Sequence, residues 1–180
     1  MLLCLFALVA SAQTPISFKL TTSGAFASED GQDYIVVPFE GKNAHQIFQM
    51  LCVNVSKLYK EPKQVMSVVD DASISVRGYD PKVTYIKDLL QTFDIGGYYK
   101  LDFEIKDGKV KVNAPVIEEN LVKSINQARE RDFSKMVRSW VKDGAFKEKF
   151  AKQVEYTEYV QNTYINAILG TNKPKGADNW

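Results

Sequence analysis

Apolar residues recur at three- and four-residue steps between Ala44 and Tyr59: Ala44, Ile47, Phe48, Leu51, Cys52, Val55, Leu58 and Tyr59. That spacing predicts one face of an amphipathic helix, with Asn43 placed to cap it and Glu61-Pro62 placed to stop it. Further on the period shortens to two. Tyr99, Leu101, Phe103 and Ile105 alternate with Lys100, Asp102, Glu104 and Lys106, and after Asp107-Gly108 Val110 and Val112 alternate with Lys109 and Lys111. Asp-Gly between alternating runs predicts a type I′ hairpin with positive φ at both turn positions. Its register would pair Ile105 with Val110 and Phe103 with Val112 on a buried face, and Glu104 with Lys111 on a wet one.

Weaker patterns fill the rest. Ile16 to Leu20 alternates as a short edge strand, and Ser23-Gly24 and Ser28 to Asp33 read as loop. Tyr34 to Phe39 is almost continuously apolar, which predicts a strand buried on both faces, with Pro38 at an edge or bulge. Strands are predicted over 64–69 and 73–79, joined by a tight turn at Asp70-Asp71. Val83, Ile86, Leu89, Leu90 and Phe93 predict a short helix closed by Gly96-Gly97, although Thr84-Tyr85-Ile86 also suits a strand.

After Pro115 helix formers dominate. Glu118-Glu119 read as the acidic first turn of a helix. Phe133, Met136, Val137, Trp140 and Val141 predict a second amphipathic helix, interrupted near Asp143-Gly144. Phe146, Phe150, Val154, Val160, Tyr164 and Ile168 predict a third stretch that ends at Gly170. The chain thus divides into an N-terminal strand and loop (13–32), an α+β domain (33–117), a helical segment (118–170) and a flexible tail (171–180). The fold class is α+β: an antiparallel sheet in β-α-β-β-β-β-α order, helices packed on one face, and extra C-terminal helices.

Three stretches carry a family resemblance: Tyr34-Ile35-Val36-Val37-Pro38-Phe39-Glu40-Gly41-Lys42-Asn43-Ala44, the helix holding Ile47 and Tyr59, and Leu101-Asp102-Phe103-Glu104-Ile105-Lys106-Asp107-Gly108. Over roughly Asp33 to Ile117 the chain resembles a secreted family from Bacteroidota whose domain of unknown function is described as having a TATA-binding-protein-like (TBP-like) fold. The resemblance implies that fold and a secretory setting. It implies no DNA binding, because function lives in sites and not in folds.

Composition narrows the class. The 180 residues carry 23 Lys+Arg and 22 Asp+Glu, a net charge of +1. Near-neutrality argues against nucleic acid as a partner. A hydrophobic share of 45% with 12% aromatics argues against disorder, and 25% charged residues against a multi-span membrane protein. The first ionisable side chain is Lys19, and Met1 to Ala10 is wholly apolar. With Ala10-Ser11-Ala12 as a small-x-small site, residues 1–12 read as a signal peptide, and the product as exported to the periplasm, the cell envelope or the extracellular space. No Lys or Arg precedes the apolar run, so the true start codon is expected a few residues upstream. Cleavage would leave Cys52 as the lone cysteine, expected to be buried and inert.

Candidate chemistry is sparse. His45, the single histidine, would need a nucleophile and an orienting carboxylate, or further metal ligands, and reads as a surface or capping residue. Asp30 with Asp33, and Asp70 with Asp71, read as loop and turn carboxylates. No phosphate loop or nucleophile elbow is present, so no catalytic, cofactor or metal residue is assigned. Asn54-Val55-Ser56 matches a glycosylation sequon by chance. Arg131, Lys135, Arg138 and Lys142 step by three and four, a basic stripe within 129–152 that would face an anionic lipid or acidic partner. Residues 13–117 hold 12 basic and 13 acidic side chains and 118–180 hold 11 and 9, so the mild excess of positive charge lies in the C-terminal part. The expectation is an exported, non-enzymatic binding module for a protein, glycan or lipid. The alternatives are a hydrolase near His45 and a membrane-surface adaptor using the basic helix.

Overall fold

A computed structural model describes residues 14–87, 91–124 and 127–171, with the side chains of 119–131 left undescribed. Residues 1–12, read above as a signal peptide, and most of the 171–180 segment lie outside the described residues. In chain order the elements are β1 (Lys19–Leu20), β2 (Phe26–Ala27), β3 (Tyr34–Pro38), α1 (Ala44–Leu58), α2 (Pro62–Val65), β4 (Met66–Val69), β5 (Ser73–Lys87), β6 (Thr92–Lys106), β7 (Lys109–Asn113), β8 (Val116–Ser124), β9 (Gln127–Arg131), α3 (Phe133–Ser139), β10 (Val141–Lys142), β11 (Ala145–Phe146) and α4 (Ala151–Leu169). The class is α+β, built on an antiparallel sheet with helices against it.

Seven strands form the main sheet, in the order β3-β7-β6-β5-β4, with β8 also beside β6 and β9 beside β8. Strand β6 organises it: residues 95–100 pair with β8, residues 103–106 pair with β7, and its other edge pairs with β5. Its alternation sorts the faces. Ile95, Tyr99, Leu101, Phe103 and Ile105 are buried with Ile74, Val76, Val110 and Val112, whereas Lys100, Asp102 and Glu104 turn away from the core. Helices α1 and α4 cover the buried face. Ile47, Leu51 and Val55 of α1 are fully buried, contributing roughly 1.5–3 kcal/mol each. The predicted cap is present: the side chain of Asn43 accepts from the N–H of Gln46 at 2.9 Å, and Gln46 Oε1 accepts from the N–H of Asn43 at 3.0 Å.

The 105–112 register matches the alternation, Ile105 opposite Val110, Phe103 opposite Val112 and Glu104 opposite Lys111. The turn itself departs from type I′, because Gly108 has φ 73° while Asp107 is absent from the positive-φ residues. Tertiary contacts set it instead. Asp107 Oδ1 accepts from the N–H of Ala44 at 2.7 Å, and the N–H of Gly108 donates to the carbonyl of Lys42 at 2.8 Å.

Several expectations are corrected. The segment Asp80 to Gly97 holds no helix in its described residues: Thr84 to Lys87 pair with Thr92 to Ile95 after a bulge between Asp80 and Thr84. The β-branched and aromatic Val83-Thr84-Tyr85-Ile86 favour the pleated partner over a helix. Gly96 and Gly97 lie inside β6 and close no helix. Likewise Glu118-Glu119 begin no helix, because 116–124 and 127–131 pair as a hairpin and residues 95–100 recruit β8 into the sheet. Strand β3 is buried on one face only: Val37 is buried and Tyr34, Val36 and Pro38 are exposed, as suits an edge strand carrying a proline. Pro62 starts a one-turn helix, so the strand predicted from 64 begins at Met66.

The N-terminal arm joins no large sheet. Only Lys19 and Leu20 pair, with Ala27 and Phe26. The rest is held by α4. Asn166 accepts from the N–H of Ile16 and donates to its carbonyl at 2.9 and 2.7 Å. Asn162 does the same for Phe18 at 2.8 and 2.9 Å, and Glu158 accepts from the N–H of Leu20 at 2.9 Å. Four helical residues rise about 6 Å and two extended residues about 6.6 Å, so 158, 162 and 166 meet 20, 18 and 16 in step. Gly170 ends α4 in the left-handed region, φ 76°, where its periodicity stops.

Candidate functional site

Among the described residues, no element covers the face of the sheet opposite α1 and α4. Cross-strand partners share a face, so β5 presents Ser73, Ser75, Arg77 and Tyr79 beside Tyr98, Lys100, Asp102 and Glu104 of β6 and Lys111 and Asn113 of β7. At its centre the guanidinium carbon of Arg77 lies 4.7 Å from the centroid of the Tyr98 ring, and Arg77 Nε donates to Glu118 Oε2 at 2.5 Å. The rings of Tyr79 and Tyr98 meet at 5.2 Å, tilted by 60°. Gly96 makes room for this group, because a Cβ there would strike the hydroxyl of Tyr79.

Around that centre the charges are paired. Glu104 accepts from Lys111 Nζ at 2.9 Å and from Asn113 at 3.2 Å. Hydrogen bonding to Lys111, then to Asn113, holds the Glu104 carboxyl below the ordinary carboxylate range, and Glu104 raises Lys111 in turn. Lys100 pairs with Asp102 at 2.9 Å, and Lys111 lies 5.1 Å from the Tyr34 ring centroid. Tyr34, Val36 and Val116 remain exposed at its margins. Such a face offers stacking, charge-assisted hydrogen bonds and small apolar steps.

Beneath the sheet lies a phenol cluster. The hydroxyls of Tyr59 and Tyr99 are 2.6 Å apart, the rings of Tyr99 and Tyr164 stack at 4.8 Å, and Tyr164 donates to Asp80 Oδ2 at 2.7 Å. Burial first, and neighbouring phenols second, push Tyr99 far above the ordinary phenol range; burial and then Asp80 push Tyr164 up. These groups stay protonated and act as structural donors.

The residues singled out in the sequence disperse. Lys135 and Arg138 lie exposed on α3, Lys142 lies on β10, and Arg131 ends β9 with its side chain outside the described residues. Asp132 caps α3 by accepting from the N–H of Lys135 at 3.1 Å, and Asp143 and Gly144 both take positive φ in the β10–β11 turn, so no single helix face carries all four. His45 places Nδ1 2.9 Å from Asp71 and Nε2 2.8 Å from Gln49, so its ring bonds go to a carboxylate and an amide and to no hydroxyl or thiol. The shallow depression beside it on α1, about 450 Å³, is lined by Lys42, Gln46, Gln49, Met50, Val53, Asn54 and Lys57, which include no carboxylate, hydroxyl or thiol. Cys52 is half-buried rather than buried, and burial, then Asp70, raises its thiol. Asn54 of the sequon donates to the carbonyl of Ile168 at 2.9 Å, tying α1 to α4.

At the bulge between Asp80 and Thr84, Lys82 Nζ sits 2.8 Å from Asp94 and 5.8 and 5.4 Å from the ring centroids of Tyr85 and Tyr156. Among the described residues no group of three His, Cys, Asp or Glu side chains could hold a metal ion, and no helix is long and apolar enough to cross a membrane. The Arg77–Tyr98–Tyr79 centre was missed because its members lie on two strands 21 positions apart, a pairing that only the β5–β6 register creates.

No family model matches the sequence, and no curated protein matches it. Among solved structures the chain is similar to a DUF4468 family protein from Bacteroides ovatus, with 15% identity and a TM-score of 0.47 over 78% of this chain and 86% of that one. It is also similar to a TBP-like protein from Parabacteroides distasonis, with 14% identity and a TM-score of 0.44 over 73% of this chain and 81% of that one. Both sources are Bacteroidota, the group named by the sequence resemblance, and the second bears the TBP-like description it implied. At these values neither carries an activity, a ligand or a partner to this chain.

Proposed function

We propose that the chain is an exported, non-enzymatic binding module whose open sheet face receives a polar ligand, a protein surface or a glycan. The observation that carries this reading is the Arg77–Tyr98–Tyr79 group, stacked and braced by Glu118 at the middle of the face left clear by α1 and α4. Tyr and Arg are the residues that supply most binding energy at interfaces. Here their rotamers are already restrained, which lowers the entropy lost on binding. The paired charges around them suit hydrogen-bonding ligands better than hydrocarbon, so a lipid is the least favoured of the three classes. The arrangement of His45 supports an enzyme less well, because its Nε2 is engaged by Gln49 and a general base needs that nitrogen free for a nucleophile.

The test is to screen the protein against glycan and peptide arrays and then compare Arg77→Ala and Tyr98→Ala with the unchanged protein. Binding that drops at least about tenfold in both variants supports this reading. Binding that ignores both, or hydrolysis of an ester, peptide or glycoside that His45→Ala abolishes, overturns it.

A further inference from the structure

The described strand edges differ in how they guard against pairing with another chain. Strand β3 carries Pro38, which has no N–H to donate, and β9 reads Gln-Ala-Arg-Glu-Arg, a charged edge. Both are devices that discourage strand addition. Strand β4 ends the sheet on its other side and has neither: it reads Met-Ser-Val-Val, with Val68 45% and Val69 62% exposed. We propose that β4 is an interaction edge, and that its partner is β4 of a second copy of this chain, added antiparallel across a two-fold axis normal to the sheet.

Charge selects that partner. Lys63 lies exposed just before β4 and Asp70 lies exposed just after it. Antiparallel pairing of identical strands sets the start of each against the end of the other, so each Lys63 faces the partner's acidic turn and the pairing recurs at both ends by symmetry. A parallel arrangement would oppose like charges instead. The axis keeps both open faces on one side, so association doubles the binding face without covering it. Four residues make a small contact, and the association is weak and concentration-dependent. This inference does not rest on the binding role of the open face.

Sedimentation equilibrium of the full chain, from about 5 to about 500 µM, tests it. The expected result is a monomer–dimer equilibrium that Val68→Lys abolishes with the melting temperature unchanged. Lys63→Glu and Asp70→Lys should each weaken it by about tenfold, since the two-fold counts every change twice, and the double variant should restore it. A chain that stays monomeric throughout, or a dimer indifferent to Val68→Lys and to both charge changes, would overturn the proposal.

Discussion

The side-chain amide of Asn162 closes on both main-chain groups of Phe18, accepting from its N–H at 2.8 Å and donating to its carbonyl at 2.9 Å, across 144 positions of chain. Helix α4 thereby serves the arm as a strand edge would, and the two ends of the described chain are joined by it. Asn162→Leu strands both groups of a residue that is fully buried. The predicted cost is about 2–4 kcal/mol, read as a lowered urea midpoint with unchanged slope. Hydrogen exchange at Phe18 should rise more than exchange in β6. Equal effects in both would place the damage in the core rather than in the arm.

Two glycines should fail for different reasons. A Cβ on Gly78 would lie 2.5 Å from the ring and hydroxyl of Tyr99, so Gly78→Ala is predicted to cost about 1–3 kcal/mol by overpacking, and Tyr99→Leu should partly relieve it. At Gly108 a Cβ meets nothing within 4 Å, yet φ is 73°. Gly108→Val is therefore predicted to cost roughly 1–2 kcal/mol from backbone strain alone, with no rescue by a second change. Thermal or urea unfolding of the single and double variants separates the two causes.

The phenol cluster sets an alkaline limit. Tyr99 and Tyr164 are raised above the ordinary value of 10.0 by burial, so above that pH the unfolded chain releases protons that the folded chain retains. Stability contributed by their protonated forms is complete below about pH 10 and is lost as pH rises further. Spectrophotometric titration should show Tyr99 and Tyr164 ionising only with unfolding, while Tyr164→Phe should flatten the pH dependence.

Legibility in the sequence followed the range of the interactions. The α1 stripe and the 99–112 alternation were readable because both are local periodicities that the core simply accepts. In Asp80 to Gly97 the helical spacing of Val83, Ile86 and Phe93 competed with the β-propensity of Val83 to Ile86, and the strand prevailed; after Pro115 strand pairing outweighed local preference, since Gln127 to Arg131 are helix formers by propensity yet complete a hairpin with β8. The arm clamp left no periodic trace, since Glu158, Asn162 and Asn166 look like any polar helix face until their main-chain partners are in view. The open face was half legible. Alternation predicted its wetness, but the meeting of Tyr79 with Tyr98 depends on a register across the β5–β6 pair.

The most direct measurement is a titration, followed by amide chemical shifts, of the protein with the best glycan or peptide found by array screening. Shifts confined to Arg77, Tyr79, Tyr98 and Lys100, and lost in Arg77→Ala at unchanged melting temperature, are the predicted result. Shifts centred on His45 and Gln49, or binding that Arg77→Ala leaves intact, would contradict the assignment of function to the open face.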